Sequence, residues 1–432
     1  MMNLISKLKN DPRIINSLWM LIEKSISLFG LIFVVSAVAK YTGPSIYGEI
    51  SLAASIFLVV KTIAQLGLDQ IYFKYSSQFK PYNYIFLRNS IKLISLIYCL
   101  ITFLLMIFLC YYSSPSGVVF SFATAIAYYF NAIDLRNFYF EGILKSKFNV
   151  MANVVGLVVA LILRYLIVIF KINYFYLSVP IILMTLVPFL IKYYTYNSLT
   201  VRGGGVLSTN IKNNYKYYKY FFGVGIPLTL SILASVVNSQ IANYIIAIYL
   251  STKEVGYYSI AFVLAGSWCI ISTTLITSFI TTVYNYNSSQ IGIYIKFSTK
   301  IFYIIGFISL LIVLFFYFFA GNIVIFLYGR DYLASISILK ILLWAQFFWV
   351  LSYLFSRLII KYNGYKFLAC KTIFSLVLNL ASCLFLVKKY GVIGVAYAAL
   401  ISEIISFVVC FLYGRAHLIS IVFPFLCKRK IG

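Results

Sequence analysis

Tyr41–Ala53 reads YTGPSIYGEISLA and Tyr249–Ala261 reads YLSTKEVGYYSIA, and the two align without a gap at an offset of 208 residues. Tyr41, Gly48, Ser51 and Ala53 coincide with Tyr249, Gly256, Ser259 and Ala261. Each segment joins the first and second long apolar runs of its half, so the matches fall at equivalent places. Gly48, Gly256 and the Gly43-Pro44 pair suit a tight reversal between two helices, although generic hairpin chemistry would also use glycine here. Two units separated by an even number of membrane crossings enter the bilayer in the same sense. Such parallel repeats carry the substrate path between them.

Outward from these turns, the chain of 432 residues is 63% hydrophobic and only 10% charged. Soluble domains carry roughly 25% charged residues. In the first half, apolar runs cover 17–39, 46–66, 91–112, 117–133, 150–170 and 174–192. In the second they cover 221–249, 258–281, 297–320, 336–356, 368–387 and 392–413. Each is long enough to cross a hydrocarbon core of roughly 30 Å, which predicts an all-α polytopic membrane protein of about 12 transmembrane helices. The expected organisation is a six-helix bundle over 1–200, a cytoplasmic linker over 201–220 and a second six-helix bundle over 221–432.

Thirty-five Lys and Arg stand against nine Asp and Glu. In a soluble protein this balance would point to nucleic acid. Here the basic residues concentrate in every second loop, about 25 on one side against seven on the other, as the positive-inside rule requires. Both termini are therefore expected in the cytoplasm, and no nucleic-acid partner is expected. The excess charge also suits anionic head groups or an anionic substrate. Met1–Arg13 has no cleavable signal pattern, because the first apolar run is long enough to span.

The seven cysteines lie in or beside apolar runs without CxxC spacing, and His417 is the single histidine. Neither a metal site, a catalytic residue nor a cofactor is predicted. Gly203, Gly204 and Gly205 in the linker follow no phosphate-loop pattern and read as flexible chain.

The layout, together with TGPSIYGEISLA at 42–53, its echo KEVGYYSIA at 253–261 and YGVIGVAYAALISE at 390–403, resembles the O-antigen and polysaccharide flippases of the multidrug/oligosaccharidyl-lipid/polysaccharide exporter superfamily. The resemblance runs over essentially the full length. It implies two six-helix bundles in a V, opening alternately to either side around a polar, often cationic cavity. The implied cargo is an undecaprenyl-pyrophosphate-linked glycan, moved across the bacterial inner membrane. Membrane lipids, a polysaccharide polymerase and a chain-length regulator are the implied partners.

Carrying pyrophosphate and sugar hydroxyls through hydrocarbon, where each unpaired hydroxyl costs roughly 2 to 7 kcal/mol, requires intramembrane cations and hydrogen-bonding groups. Lys24, Lys61 and Arg164 lie inside apolar runs and are candidate cargo contacts. Snorkelling competes for Lys61 and Arg164, and an ion pair with Glu23 competes for Lys24. Arg357, at the end of the tenth run, joins them, with membrane orientation as its rival role. On the seventh run Ser235, Ser239 and Asn243 form one stripe flanked by Gln240 and Asn238. Gln240 and Asn243 would bond sugar hydroxyls, or hold helices together. Glu23 and Glu403 sit within spans as candidates for proton or ion coupling, a structural pair being the rival for Glu403. Asp69, Asp134 and Glu141 lie close to Lys74, Arg136 and Lys145, which predicts surface pairing.

A membrane O-antigen polymerase would carry a large outer loop, and every outer loop here is short. A multidrug exporter of the same superfamily is opposed by a cationic lumen. A lipid II flippase commonly has additional spans.

Overall fold

An apolar run in hydrocarbon has no water for its backbone, so its N–H and C=O groups must be satisfied within the segment, as a helix. The computed structural model describes residues 19, 23, 26–27, 30–77, 83–202, 214–284, 291–414 and 417–423, which are helical almost throughout and contain no strand. In the first half lie α1 (Ser36–Gln65), α2 (Leu68–Ser77), α3 (Asn83–Tyr112), α4 (Pro115–Ile133), α5 (Arg136–Gly142), α6 (Ser146–Ile169) and α7 (Ser178–Arg202). Then follow α8 (Asn214–Tyr249), α9 (Thr252–Ser267), α10 (Cys269–Tyr284), α11 (Ile291–Tyr328), α12 (Ser335–Lys361), α13 (Tyr365–Val409) and α14 (Leu418–Val422).

Among the described residues, ten helical stretches are long and apolar enough to cross a membrane. Two contain a break in the backbone. Gly43 (φ 74°, ψ 170°) interrupts α1 and Gly391 (φ 59°, ψ −141°) interrupts α13. Both conformations are open to glycine and strained for other residues. Unbroken, the 45 residues of α13 would extend about 67 Å, twice the hydrocarbon thickness. Gly391 turns the chain instead, and Gly394 passes so close to the Leu386 carbonyl that no side chain fits.

The two repeat segments start their helices by different chemistry. In the first, Gly43 breaks the chain and Pro44 opens the next helical stretch. In the second, the Ser251 hydroxyl accepts from the Glu254 N–H at 3.3 Å and caps α9. Gly48 and Gly256, expected to serve the reversal, are both buried inside helices beyond it. At α4, Ser114 caps the Gly117 N–H at 3.0 Å with Pro115 in the first turn.

Contacts divide the chain into two compact units, Met1–Val236 and Val237–Gly432. Within the first, Phe57, Leu68, Tyr72, Phe86, Tyr98, Phe140 and Tyr196 form one buried cluster. The short helices α2 and α5, read as loops in the sequence, pack on each other here. The outer surface is apolar too: Phe318 and Phe326 are each 78% exposed, which suits hydrocarbon rather than water. The first predicted run and the linker fall largely outside the described residues, α7 reaching Arg202 and α8 starting at Asn214.

Candidate functional site

In the first unit, α6 carries Arg164 against α1. Its guanidinium joins Tyr47, Ser51, Ile50, Leu177 and Ile181 around a cavity of about 190 Å³. A guanidinium has five N–H donors. The acceptor it meets is the soft Met184 thioether, Nη2 to Sδ 3.9 Å, and among the described residues no carboxylate forms an ion pair with it. Arg164 is thus a half-buried cation with donors to spare, in a pocket that also offers a phenol and a hydroxyl. An anionic group is the natural complement.

Lys61, on α1, is half-buried and lies within electrostatic range of Asp69, Asp134 and Lys192. Asp134 does not make the expected surface pair with Arg136. Its Oδ2 lies 2.6 Å from Lys192 Nζ, and both residues are buried. Lys192 also donates to Asn137 Oδ1 at 3.2 Å. Arg136, itself buried, stacks beneath aromatic rings, with its guanidinium carbon 4.7 Å from the Tyr193 centroid and 5.6 Å from that of Phe189. The sequence places Asp134 beside Arg136, but the break between α4 and α5 turns the arginine towards α7 and its rings. Glu141 likewise accepts from Asn137 Nδ2 at 2.7 Å, without Lys145. Glu23 accepts from Asn153 Nδ2 at 2.7 Å. Lys24 lies outside the described residues.

In the second unit the polar stripe of α8 meets other helices. Ser259 of α9 donates to Asn243 Oδ1 at 3.5 Å, and Asn379 of α13 donates to Asn238 Oδ1 at 3.1 Å. Asn243 Nδ2 also donates to Gln240 Oε1 at 3.3 Å. Arg357 Nη2 donates to the Tyr353 hydroxyl at 2.6 Å and lies over the same ring. Next to it, Lys361 donates to the Val283 carbonyl and lies 4.7 Å from the Tyr294 centroid.

Glu403 on α13 has Lys371 within electrostatic range. Lys371 lies near the start of the predicted run 368–387 and is not among the candidate contacts. It is buried, donating to Ser352 Oγ at 2.5 Å, while Ser375 and Ser402 exchange a hydrogen bond at 3.1 Å alongside. Lys371, Ser375 and Asn379 repeat every four residues, the same stripe signal that marked α8. That periodicity would have found them. Lys192 gave no comparable signal, because it terminates an apolar run as any orienting lysine does.

The sequence matches the model of the family described as polysaccharide biosynthesis protein over residues 37–338. Comparison with curated proteins returns no match. Among solved structures, the lipid II flippase MurJ in an inward closed conformation shares 17% identity at a TM-score of 0.72, covering 97% of this chain and 93% of that one. An outward-facing multidrug resistance MATE family transporter of the MOP superfamily gives 17% identity and a TM-score of 0.59, with coverage of 96% and 97%. A MOP superfamily transporter from Pyrococcus furiosus gives 17% and 0.56 over the same shares. These likenesses establish the fold as that of MOP superfamily transporters, a multi-pass helical membrane architecture. The chain belongs to the polysaccharide biosynthesis protein family.

Proposed function

We propose that this protein is a flippase that moves an undecaprenyl-pyrophosphate-linked oligosaccharide, an O-antigen or capsule repeat unit, from the cytoplasmic to the periplasmic leaflet by alternating access. The observation that carries the reading is Arg164, an intramembrane guanidinium with no carboxylate paired to it among the described residues, lining a cavity beside Tyr47 and Ser51. A pyrophosphate supplies the missing counter-charge. Family membership supports the substrate class, because a polysaccharide assembled from lipid-linked units must have those units delivered across the bilayer.

In this reading Arg164 and Lys61, with Lys24, receive phosphate. Gln240, Asn243 and Arg357 contact sugar, while Glu23 and Glu403 couple transport to an ion. Counting the segments on either side of Gly43 and of Gly391 as separate crossings would make the ten helical stretches the twelve spans of this reading. Two six-helix bundles, 1–200 and 221–432, joined through 201–220, then place both termini in the cytoplasm of a bacterium, at its inner membrane. A polymerase and a chain-length regulator act on the delivered units.

The test is surface polysaccharide in a deletion strain complemented by wild type, Arg164→Ala or Arg164→Lys at matched membrane abundance. Loss of polymer with lipid-linked units held in the cytoplasmic leaflet, restored by wild type, supports flipping. Single units in the outer leaflet with failed chain extension would make the protein a polymerase.

A further inference from the structure

A second cavity in the first unit, about 140 Å³, is lined by Glu23, Asn137, Glu141, Ser146, Asn149 and Asn153. Each carboxylate has one oxygen held by an amide: Asn153 Nδ2 donates to Glu23 Oε1 and Asn137 Nδ2 to Glu141 Oε1, both at 2.7 Å. Oε2 of each remains as the second oxygen. Asn149 fixes its own orientation, because its Nδ2 donates to the Asn137 carbonyl at 2.7 Å and the opposite flip would face oxygen with oxygen. Its Oδ1 is therefore left without a hydrogen-bond partner, in a side chain only 3% exposed. A buried amide oxygen with no donor requires an explanation.

The surrounding charges sharpen the question. Glu23 and Glu141 act on each other electrostatically. Lys192, the cation that acts on Glu141, is held 2.6 Å from Asp134, so that pair is neutral within itself. Lys147, on the same helix as Asn149, lies against the Trp19 ring at 5.6 Å. Among the described residues, neither carboxylate is in an ion pair, and both stand beside an unpaired amide oxygen and a serine hydroxyl.

We propose that this cavity binds a divalent hard cation of the calcium class, with Glu23, Glu141 and Asn149 Oδ1 as ligands and bound water completing the shell. The ligands are all oxygen, with neither thiolate nor imidazole, which favours calcium-like ions over zinc or copper. Two negative charges balance a divalent ion. The cation occupies the space between two carboxylates that otherwise repel, and supplies the charge that Asn149 Oδ1 lacks. Asn137 and Asn153 act as the outer partners that orient the carboxylates. The proposal deepens the ion-coupling role given to Glu23 and rests on that reading only for its use in transport. Binding is measured without cargo, so the two ideas fail separately.

The experiment uses full-length purified protein in lipid nanodiscs, titrated with CaCl2, MgCl2 or NaCl against choline chloride at matched ionic strength. Thermal unfolding and equilibrium binding of radioactive calcium are followed together. Wild type should bind calcium saturably and unfold at a higher temperature with it, an effect choline does not reproduce. Glu141→Gln keeps the shape and the Asn137 bond and should abolish saturable binding, while Asn153→Ala should weaken it about 10- to 100-fold. Asn149→Ala, which leaves both carboxylates in place, should weaken it as well and serves if Glu141→Gln does not fold. Equal binding by wild type, Glu141→Gln and Asn149→Ala would overturn the site. So would stabilisation of wild type by NaCl alone, or by no cation.

Discussion

Lys192 Nζ and Asp134 Oδ2 meet at 2.6 Å across the interface of α7 with the end of α4, with side chains only 5% and 10% exposed. Desolvating both charges consumes much of their attraction, so the pair contributes less to net stability than its length implies. Its loss is another matter, because either partner alone would be a buried uncompensated charge. Asp134→Asn should destabilise the protein by about 3 to 5 kcal/mol, and Asp134→Leu combined with Lys192→Met should recover most of it. Denaturant unfolding of the purified variants, followed by tryptophan fluorescence, reads both. A double variant as unstable as the single would mean that the bond from Lys192 to Asn137, rather than the ion pair, carries the stability.

Arg164 separates charge from geometry. Arg164→Ala removes the cation and should leave the fold intact while ending polymer export. Arg164→Lys keeps a point charge but lacks the planar fork that grips a phosphate, so partial export is expected. Leaflet distribution of lipid-linked units, scored at equal membrane abundance, discriminates these outcomes. Full export by Arg164→Ala would remove this residue from the cargo path.

The two glycine breaks are testable through backbone strain alone. At Gly43 and Gly391 an added Cβ meets nothing within 4 Å, so any cost of alanine arises from the positive φ. Gly43→Ala and Gly391→Ala should each destabilise by about 1 to 3 kcal/mol. Unfolding midpoints measure this, and an unchanged midpoint at either site would show that the break tolerates ordinary residues.

The polar stripe of α8 can be divided by the same approach. Asn379→Ala removes the donor to Asn238 and should cost about 0.6 to 2 kcal/mol of stability, the worth of an interhelical hydrogen bond in a membrane. Gln240→Ala should instead lower export with little change in unfolding. Should both act only on stability, the stripe is helix packing and carries no cargo.

Sequence by itself determined the class of the molecule. Hydrocarbon tolerates a backbone only when its polar groups are internally satisfied, so apolar runs of membrane length dictate helices whatever they pack against. The repeated turn at 41–53 and 249–261 likewise located equivalent places in the two halves, because helix starts are encoded locally by glycine, proline and serine. The break at Gly43 was legible for the same reason, and Gly391 falls in the gap between the runs 368–387 and 392–413.

Which charge meets which was decided only by tertiary structure. Asp134 and Arg136 are two residues apart, yet one pairs with Lys192, 58 positions away, and the other lies beneath the rings of α7. Lys371 lies near the start of an apolar run, where an orienting lysine is ordinary, and is buried against Ser352. Glu23 and Glu141 come to line one cavity from distant segments. An ion pair depends on distance and desolvation, and both are properties of packed helices rather than of neighbouring letters.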